Sequence, residues 1–217
     1  MMKLGCFFDL DGTLVNSLRD LAESSNKVLE THGFPTYPID AYNLMVGNGV
    51  RMLMKRALGV HDDMLDVCLK EFNEIYELNC LNHTIPYEGI KELLLRLKEK
   101  NIRLGVITNK PHHLAINIVN ALFPDTFDII LGNQDLYPVK PDCTSTRLAL
   151  EYLELSHEDC LFIGDSNVDI QTAIHSHMES IGVCWGFRDE RELREAGADY
   201  ICHKADEIER IVVGDCC

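Results

Sequence analysis

The sequence reads as an α/β protein, a doubly wound parallel-sheet (Rossmann-like) core with an inserted α-helical cap. Two observations predict this class. Short, nearly continuous apolar runs alternate with amphipathic segments along the chain, the pattern of strands buried on both faces and joined by crossover helices. One stretch, from about Leu18 to Leu81, breaks the alternation and carries only helix-like segments. That is too long for an ordinary connection between strands.

In chain order, Leu4–Leu10 is a short apolar run suited to a buried central strand. The strandless block follows, punctuated by Gly33, Pro35, Pro38, Gly47, Gly49 and Gly59. Ser17-Leu-Arg-Asp20 offers a start like a capping box for its first helix, with Asp20 in place of Glu or Gln. Ile85-Pro86-Tyr87 marks the return to the core. In Gly89–Lys100 the apolar residues Ile90, Leu93, Leu94 and Leu97 recur every three or four positions, as on a helix lying against a sheet. Strands are then expected at Ile102–Ile107, Phe127–Leu131, Cys160–Ile163, Ser180–Cys184 and Asp199–Cys202. Helices are expected at His112–Leu122, Cys143–Leu153, Val168–His175, Arg191–Ala196 and Ala205–Val213. The implied division is a core of residues 1–15 and 84–217 around a helical cap of residues 16–83.

Length and charge narrow the function. The chain has 217 residues, room for one α/β domain with a small insert. Its net charge of −15 repels phosphate backbones and anionic lipid heads, so neither nucleic acid nor membrane is expected as a partner. A small anionic substrate stays open, because local cations or a metal override the net field. No run approaches the roughly 18 apolar residues of a membrane span, and Asp9 interrupts the N-terminal run too early for a signal peptide. The nine cysteines are scattered without zinc spacing, which suits reduced thiols in the cytoplasm. The terminal Cys216-Cys217 pair reads as a frayed tail.

The strongest chemical signal is Phe7-Phe8-Asp9-Leu10-Asp11-Gly12-Thr13. Two acids flank one residue at the C-terminal end of a buried strand, the edge where open α/β sheets bind ligands. Buried acids are costly unless a cation or hydrogen bonds compensate them. Gly12 permits a tight turn and a close backbone approach. A strand ending in a plain Asp-Gly turn explains this motif as well. Three further sites weigh against that reading: Thr108-Asn109 at a strand end, Lys140 in Val139-Lys140-Pro141 just ahead of a helix start, and Gly164-Asp165-Ser166-Asn167-Val168-Asp169 after another strand. Singly, these could be a turn, a surface charge and a helix cap. Together they form one ordered set.

That set resembles the haloacid dehalogenase superfamily over nearly the whole chain. Asp9-Leu10-Asp11-Gly12-Thr13 is similar to its first motif, Thr108-Asn109 to the second, Lys140 to the third, and Gly164-Asp165 with Asp169 to the fourth. A nearer resemblance, to the phosphoglycolate phosphatase group, rests on Val46-Gly-Asn-Gly-Val-Arg51, Val106-Ile-Thr-Asn-Lys-Pro111, Ile181-Gly-Val-Cys-Trp-Gly-Phe187 and Glu195-Ala-Gly-Ala-Asp-Tyr200. The resemblance implies a phosphatase of small phosphorylated metabolites, 2-phosphoglycolate first among them. It implies Asp9 as nucleophile, Asp11 as acid and base, and Mg²⁺ held by the Asp9 side chain, the Asp11 carbonyl and Asp165. Asp169 would orient metal-bound water or Lys140, while Thr108, Asn109 and Lys140 would hold the phosphoryl charge, beside Gly12 and Thr13 of the first motif. A phosphomutase or pyrophosphatase on the same core is the nearest alternative. A phospho-accepting signalling or binding module is the alternative from another class.

The cap turn Gly47-Asn48-Gly49 precedes a helical pattern from Val50. Its amides, with Arg51, could bind a substrate carboxylate. A plain glycine-rich turn with Arg51 in solvent accounts for it equally. His177 stands where the family usually has a helix-ending Gly, and so is expected in the left-handed region. His175 and His177 are two apart and would not face one metal. The expected assembly is a monomer or a dimer.

Overall fold

The computed structural model describes residues 2–134 and 136–214; the Cys216-Cys217 tail lies outside them. The core strands are β1 (Gly5–Phe8), β4 (Arg103–Pro111), β5 (Ile129–Asn133), β6 (Cys160–Gly164), β7 (Glu179–Val183) and β8 (Tyr200–Cys202). They form one parallel sheet in the order β5-β4-β1-β6-β7-β8. The order reverses at β1, so its carboxyl end opens onto the crevice where such sheets bind ligands.

The helices of the core are α4 (Ile90–Glu99), α5 (His112–Leu122), α6 (Thr144–Leu153), α7 (Asn167–His175), α8 (Glu190–Ala196) and α9 (Ala205–Val213). Alternation along β1 assigns them to two faces. Cys6 and Phe8 share a cluster with Leu93, Leu97, Ile118, Ile208 and Val212, residues of α4, α5 and α9. Phe7 points the other way, into a cluster with Ala149, Leu153 and Ala173 of α6 and α7. Gly105 on β4 makes room for it, since a Cβ there would stand 2.5 Å from the Phe7 ring.

Between β1 and β4 lies the strandless block. A short antiparallel pair, β2 (Val15–Asn16) and β3 (Ile85–Pro86), brackets it. Inside are α1 (Leu18–Thr31), α2 (Val50–Leu58), α3 (Leu65–Asn79) and two 3₁₀ turns. Asp20 ties the block's exit back to its entrance, accepting from the His83 N–H and from both the N–H and hydroxyl of Thr84. The capping box expected at Ser17 does not form. Asp20 is used by residues 83–84, and Ser17 is turned away from the helix to donate to Asp11 at 2.5 Å.

Among the described residues no helix is long and apolar enough to cross a membrane. His177 has a φ of 56°, the left-handed conformation expected of the residue that takes glycine's place.

Candidate active site

Asp9 follows β1 directly, its N–H donating to Ile163 O of β6 at 2.9 Å. This pins the first acid to the switch point of the sheet. Lys140, entering from the β5–α6 connection, places Nζ 2.9 Å from Asp9 and 2.7 Å from Asp169. Asp169 spends its other oxygen on the Ser166 N–H and hydroxyl, capping α7. It is thereby fixed, and it fixes Lys140. Burial works against the Lys140 charge, but Asp169 and Asp9 outweigh it and hold the ammonium above its ordinary range.

Asp165 completes the group. Carboxylate oxygens of Asp9, Asp165 and Asp169 all lie within 4.8 Å of one another. Asp165 accepts from the Phe187 N–H at 2.8 Å and from the Thr13 hydroxyl at 3.4 Å. Two glycines let the backbone close on it: a Cβ on Gly12 or Gly186 would stand 2.3 Å from its side chain. Burial, then Asp169 and Asp9, push the Asp165 carboxyl well above the usual carboxylate range. Burial pushes Asp9 up to about 6 although Lys140 opposes it. The Lys140 ammonium thus touches two of the three clustered buried carboxylates, Asp9 and Asp169, and not Asp165. Hard oxygen donors carrying uncompensated negative charge form the donor set that a hard divalent cation requires.

Asp11 faces a different set of partners. Lys110 Nζ stands 2.8 Å from both of its carboxylate oxygens, Ser17 donates to it, and Lys110 also donates to the Tyr76 hydroxyl of α3 at 2.8 Å. The two acids of the first motif therefore hold separate cations. Asn109 joins the halves of the site, with Oδ1 accepting from Lys140 N and Nδ2 donating to Lys140 O and Gly47 O. A cleft with about 410 Å³ of empty space, its open mouth included, lies between Asp9, Asp11, Thr108 and Lys110 on one side and Val46, Gly47, Gly49, Val50 and Leu53 on the other.

A model of the haloacid dehalogenase-like hydrolases matches residues 6–183, most of the chain. The chain belongs to that family. It is 32% identical over 210 residues to a phosphoglycolate phosphatase of Colwellia psychrerythraea, covering 93% of each chain. With that of Haemophilus influenzae it shares 33% over 204 residues, 89% of this chain and 91% of the relative. A Lactobacillus delbrueckii subsp. bulgaricus structure assigned to phosphoglycolate phosphatase superposes with a TM-score of 0.95 at 29% identity, covering 99% of this chain and all of that one. This haloacid dehalogenase-like hydrolase is phosphoglycolate phosphatase-like, a phosphatase of the phosphoric monoester class.

The structure brings Asp9, Asp165, Asp169 and Lys140 together, and sets Asp11, Thr108, Asn109, Gly47 and Gly49 around the cleft. Gly12 and Thr13 stand behind Asp165. Arg51 is a correction. Val50 and Leu53 face the cleft, and a residue one step along the helix turns by about 100°. Arg51 accordingly points outward, is mostly exposed, and pairs with Asp66 at 2.8 Å. Two other arginines hold the cap turn instead. Arg56 donates to Met45 O and to Asn48 Oδ1. Arg188, from beyond β7, donates to Asn43 O and Val46 O. The sequence reading assigned no role to Lys110, Tyr76 or Arg188. For Lys110 a signal was available, a lysine continuing an apolar strand two residues past Thr108.

Proposed function

We propose that this hydrolase cleaves 2-phosphoglycolate in the cytoplasm, with Mg²⁺ and through an aspartyl-phosphate on Asp9. The observation that carries the reading is the division of labour between the two acids: Asp9 beside Lys140 and Asp165, Asp11 apart on Lys110 and Ser17. A nucleophile and an acid–base group need separate surroundings, because one must meet phosphorus and the other the leaving oxygen.

In the proposed reaction an Asp9 oxygen forms a bond to phosphorus as the bond to the glycolate oxygen breaks. Asp11 protonates that departing oxygen. Asp11 then takes a proton from water, whose oxygen bonds phosphorus and displaces Asp9, releasing inorganic phosphate. Lys140 and Thr108 hold the negative charge spread over the phosphoryl oxygens. Asp9, Asp165 and the Asp11 carbonyl would hold Mg²⁺, which when bound neutralises charge so that an anionic ester can approach an anionic carboxylate. Asp169 positions Lys140, which occupies its Oδ1.

The block of residues 16–83 acts as a cap that selects the substrate. Gly47 and Gly49 reach the cleft with φ of 109° and 83°, and with Asn48 they form the turn that opens α2. The exposed amides of this helix start would take the glycolate carboxylate. The free thiols of the described cysteines accord with a reducing compartment. Comparing kcat/KM for 2-phosphoglycolate, its methyl ester and p-nitrophenyl phosphate, with phosphate release as readout, tests the reading. A preference for the free carboxylate of tenfold or more is expected. Equal values overturn the substrate, and absence of phosphate release overturns the reaction.

A further inference from the structure

Away from this site, three residues of differing chemistry converge from three elements: Cys184 just after β7, Glu190 at the start of α8, and His203 just after β8. The Cys184 sulfur, a Glu190 oxygen and a His203 ring nitrogen all lie within 4.8 Å of one another. His203 Nε2 stands 3.4 Å from Glu190 Oε2. Nitrogen and oxygen ligands on a tetrahedral zinc ion stand about 3.3 Å apart, given bonds of roughly 2.0–2.1 Å. That edge is therefore already at ligand spacing. Arg194 holds the other Glu190 oxygen at 2.7 Å, the outer contact that orients a ligating carboxylate.

The charges fit the same reading, since a thiolate and a carboxylate together neutralise a divalent cation. His203 is exposed and Cys184 half-buried, which leaves a path for the ion. Sulfur with imidazole selects the zinc class over magnesium.

We propose that Cys184, Glu190 and His203 form a binding site for a zinc-class divalent cation, separate from the carboxylates of the active site. On binding, the thiol proton leaves to solvent as the sulfur–metal bond forms, and no electrons change hands. The site touches both ends of the loop that runs from Trp185 to Asp189. Within that loop the Trp185 indole donates to Thr13 O and the Phe187 N–H donates to Asp165.

Trp185 is the only tryptophan in the chain and adjoins the proposed ligand Cys184, so it reports on occupancy. Co²⁺ is titrated into the full-length protein in excess Mg²⁺, which occupies the hard carboxylate site. A thiolate-to-cobalt charge-transfer band is expected, saturating at one equivalent in step with quenching of Trp185. Cys184→Ser should abolish the band, and His203→Asn should weaken binding at least tenfold. Both variants should keep the p-nitrophenyl phosphate turnover of the parent protein, which shows that they are folded. Absence of the band in the parent protein overturns the proposal, as does an undiminished band in either variant.

Discussion

Replacing the proposed nucleophile should make the protein more stable while ending its activity. Asp9 is buried and its carboxyl is pushed from 3.8 up to about 6, burial outweighing Lys140. Between those values the folded state holds a proton that the unfolded chain has lost. Stability from this group is therefore fully present below pH 3.8 and is lost as pH rises through about 6. The shift of about 2 units corresponds to about 3 kcal/mol above that range. Asp9→Asn mimics the protonated acid, keeps the shape and removes the penalty. At pH 8, in EDTA, the variant should gain at most about 3 kcal/mol, or ~6–12 °C in midpoint at roughly 2–4 °C per kcal/mol for a chain of this size. At pH 5 the gap should fall to about half, since Asp9 is then mostly protonated in the fold and mostly ionised in the unfolded chain. Thermal melts of both proteins at the two pH values measure this. A variant less stable at pH 8, or a gap independent of pH, would refute the reasoning.

Chelation should abolish turnover and Mg²⁺ restore it, whereas Ca²⁺, with its looser coordination, should inhibit; full activity after exhaustive chelation removes the metal from the mechanism. Lys110→Met leaves Asp11 without its buried cation and should cost about 3–5 kcal/mol together with most of kcat, read by denaturant titration and steady-state kinetics. Arg51→Ala should change kcat/KM less than twofold on 2-phosphoglycolate and p-nitrophenyl phosphate alike, because Arg51 pairs with Asp66 outside the cleft. His177→Gly should relieve the left-handed strain of about 1 kcal/mol, less the added freedom of the unfolded chain, and raise the midpoint by about 1–4 °C with kcat unchanged.

The strands were legible because burial on both faces leaves uninterrupted apolar runs: β1 and β8 lie within the runs read from the residues, and β6 and β7 extend beyond theirs by one residue at one end. Asp9, Thr108 and Asp165 were legible because a parallel sheet delivers strand ends to one edge, and Lys140 because it stands just ahead of a helix start. What the sequence hid was side-chain direction within the cap. Arg51 and Arg56 are both basic residues of α2, and nothing in composition says that Arg56 rather than Arg51 turns toward the Gly47–Gly49 turn. The spacing of Val50 and Leu53 would have decided it, had the face that meets the cleft been known. Cys184, Glu190 and His203 were hidden for a related reason. Their spacing matches no motif, and only the pairing of β7 with β8 makes them neighbours.

The cap and the chemistry meet on two consecutive residues of β4. Neighbours on an extended chain send their side chains in opposite directions, and Asn109 and Lys110 use this to reach two different partners. Asn109 binds Gly47 of the cap turn and both backbone polar groups of Lys140. Lys110 binds Tyr76 of α3 and both oxygens of Asp11. A shift of the cap turn therefore acts on the residue proposed to hold the phosphoryl charge, and a shift of α3 acts on the residue proposed to move the proton. Among the described residues Asp9 bonds to Ile163 and Lys140, both of the core, and makes no hydrogen bond to the cap. In the proposed reaction the cap can thus tune charge stabilisation and proton transfer while the nucleophile stays fixed to the sheet.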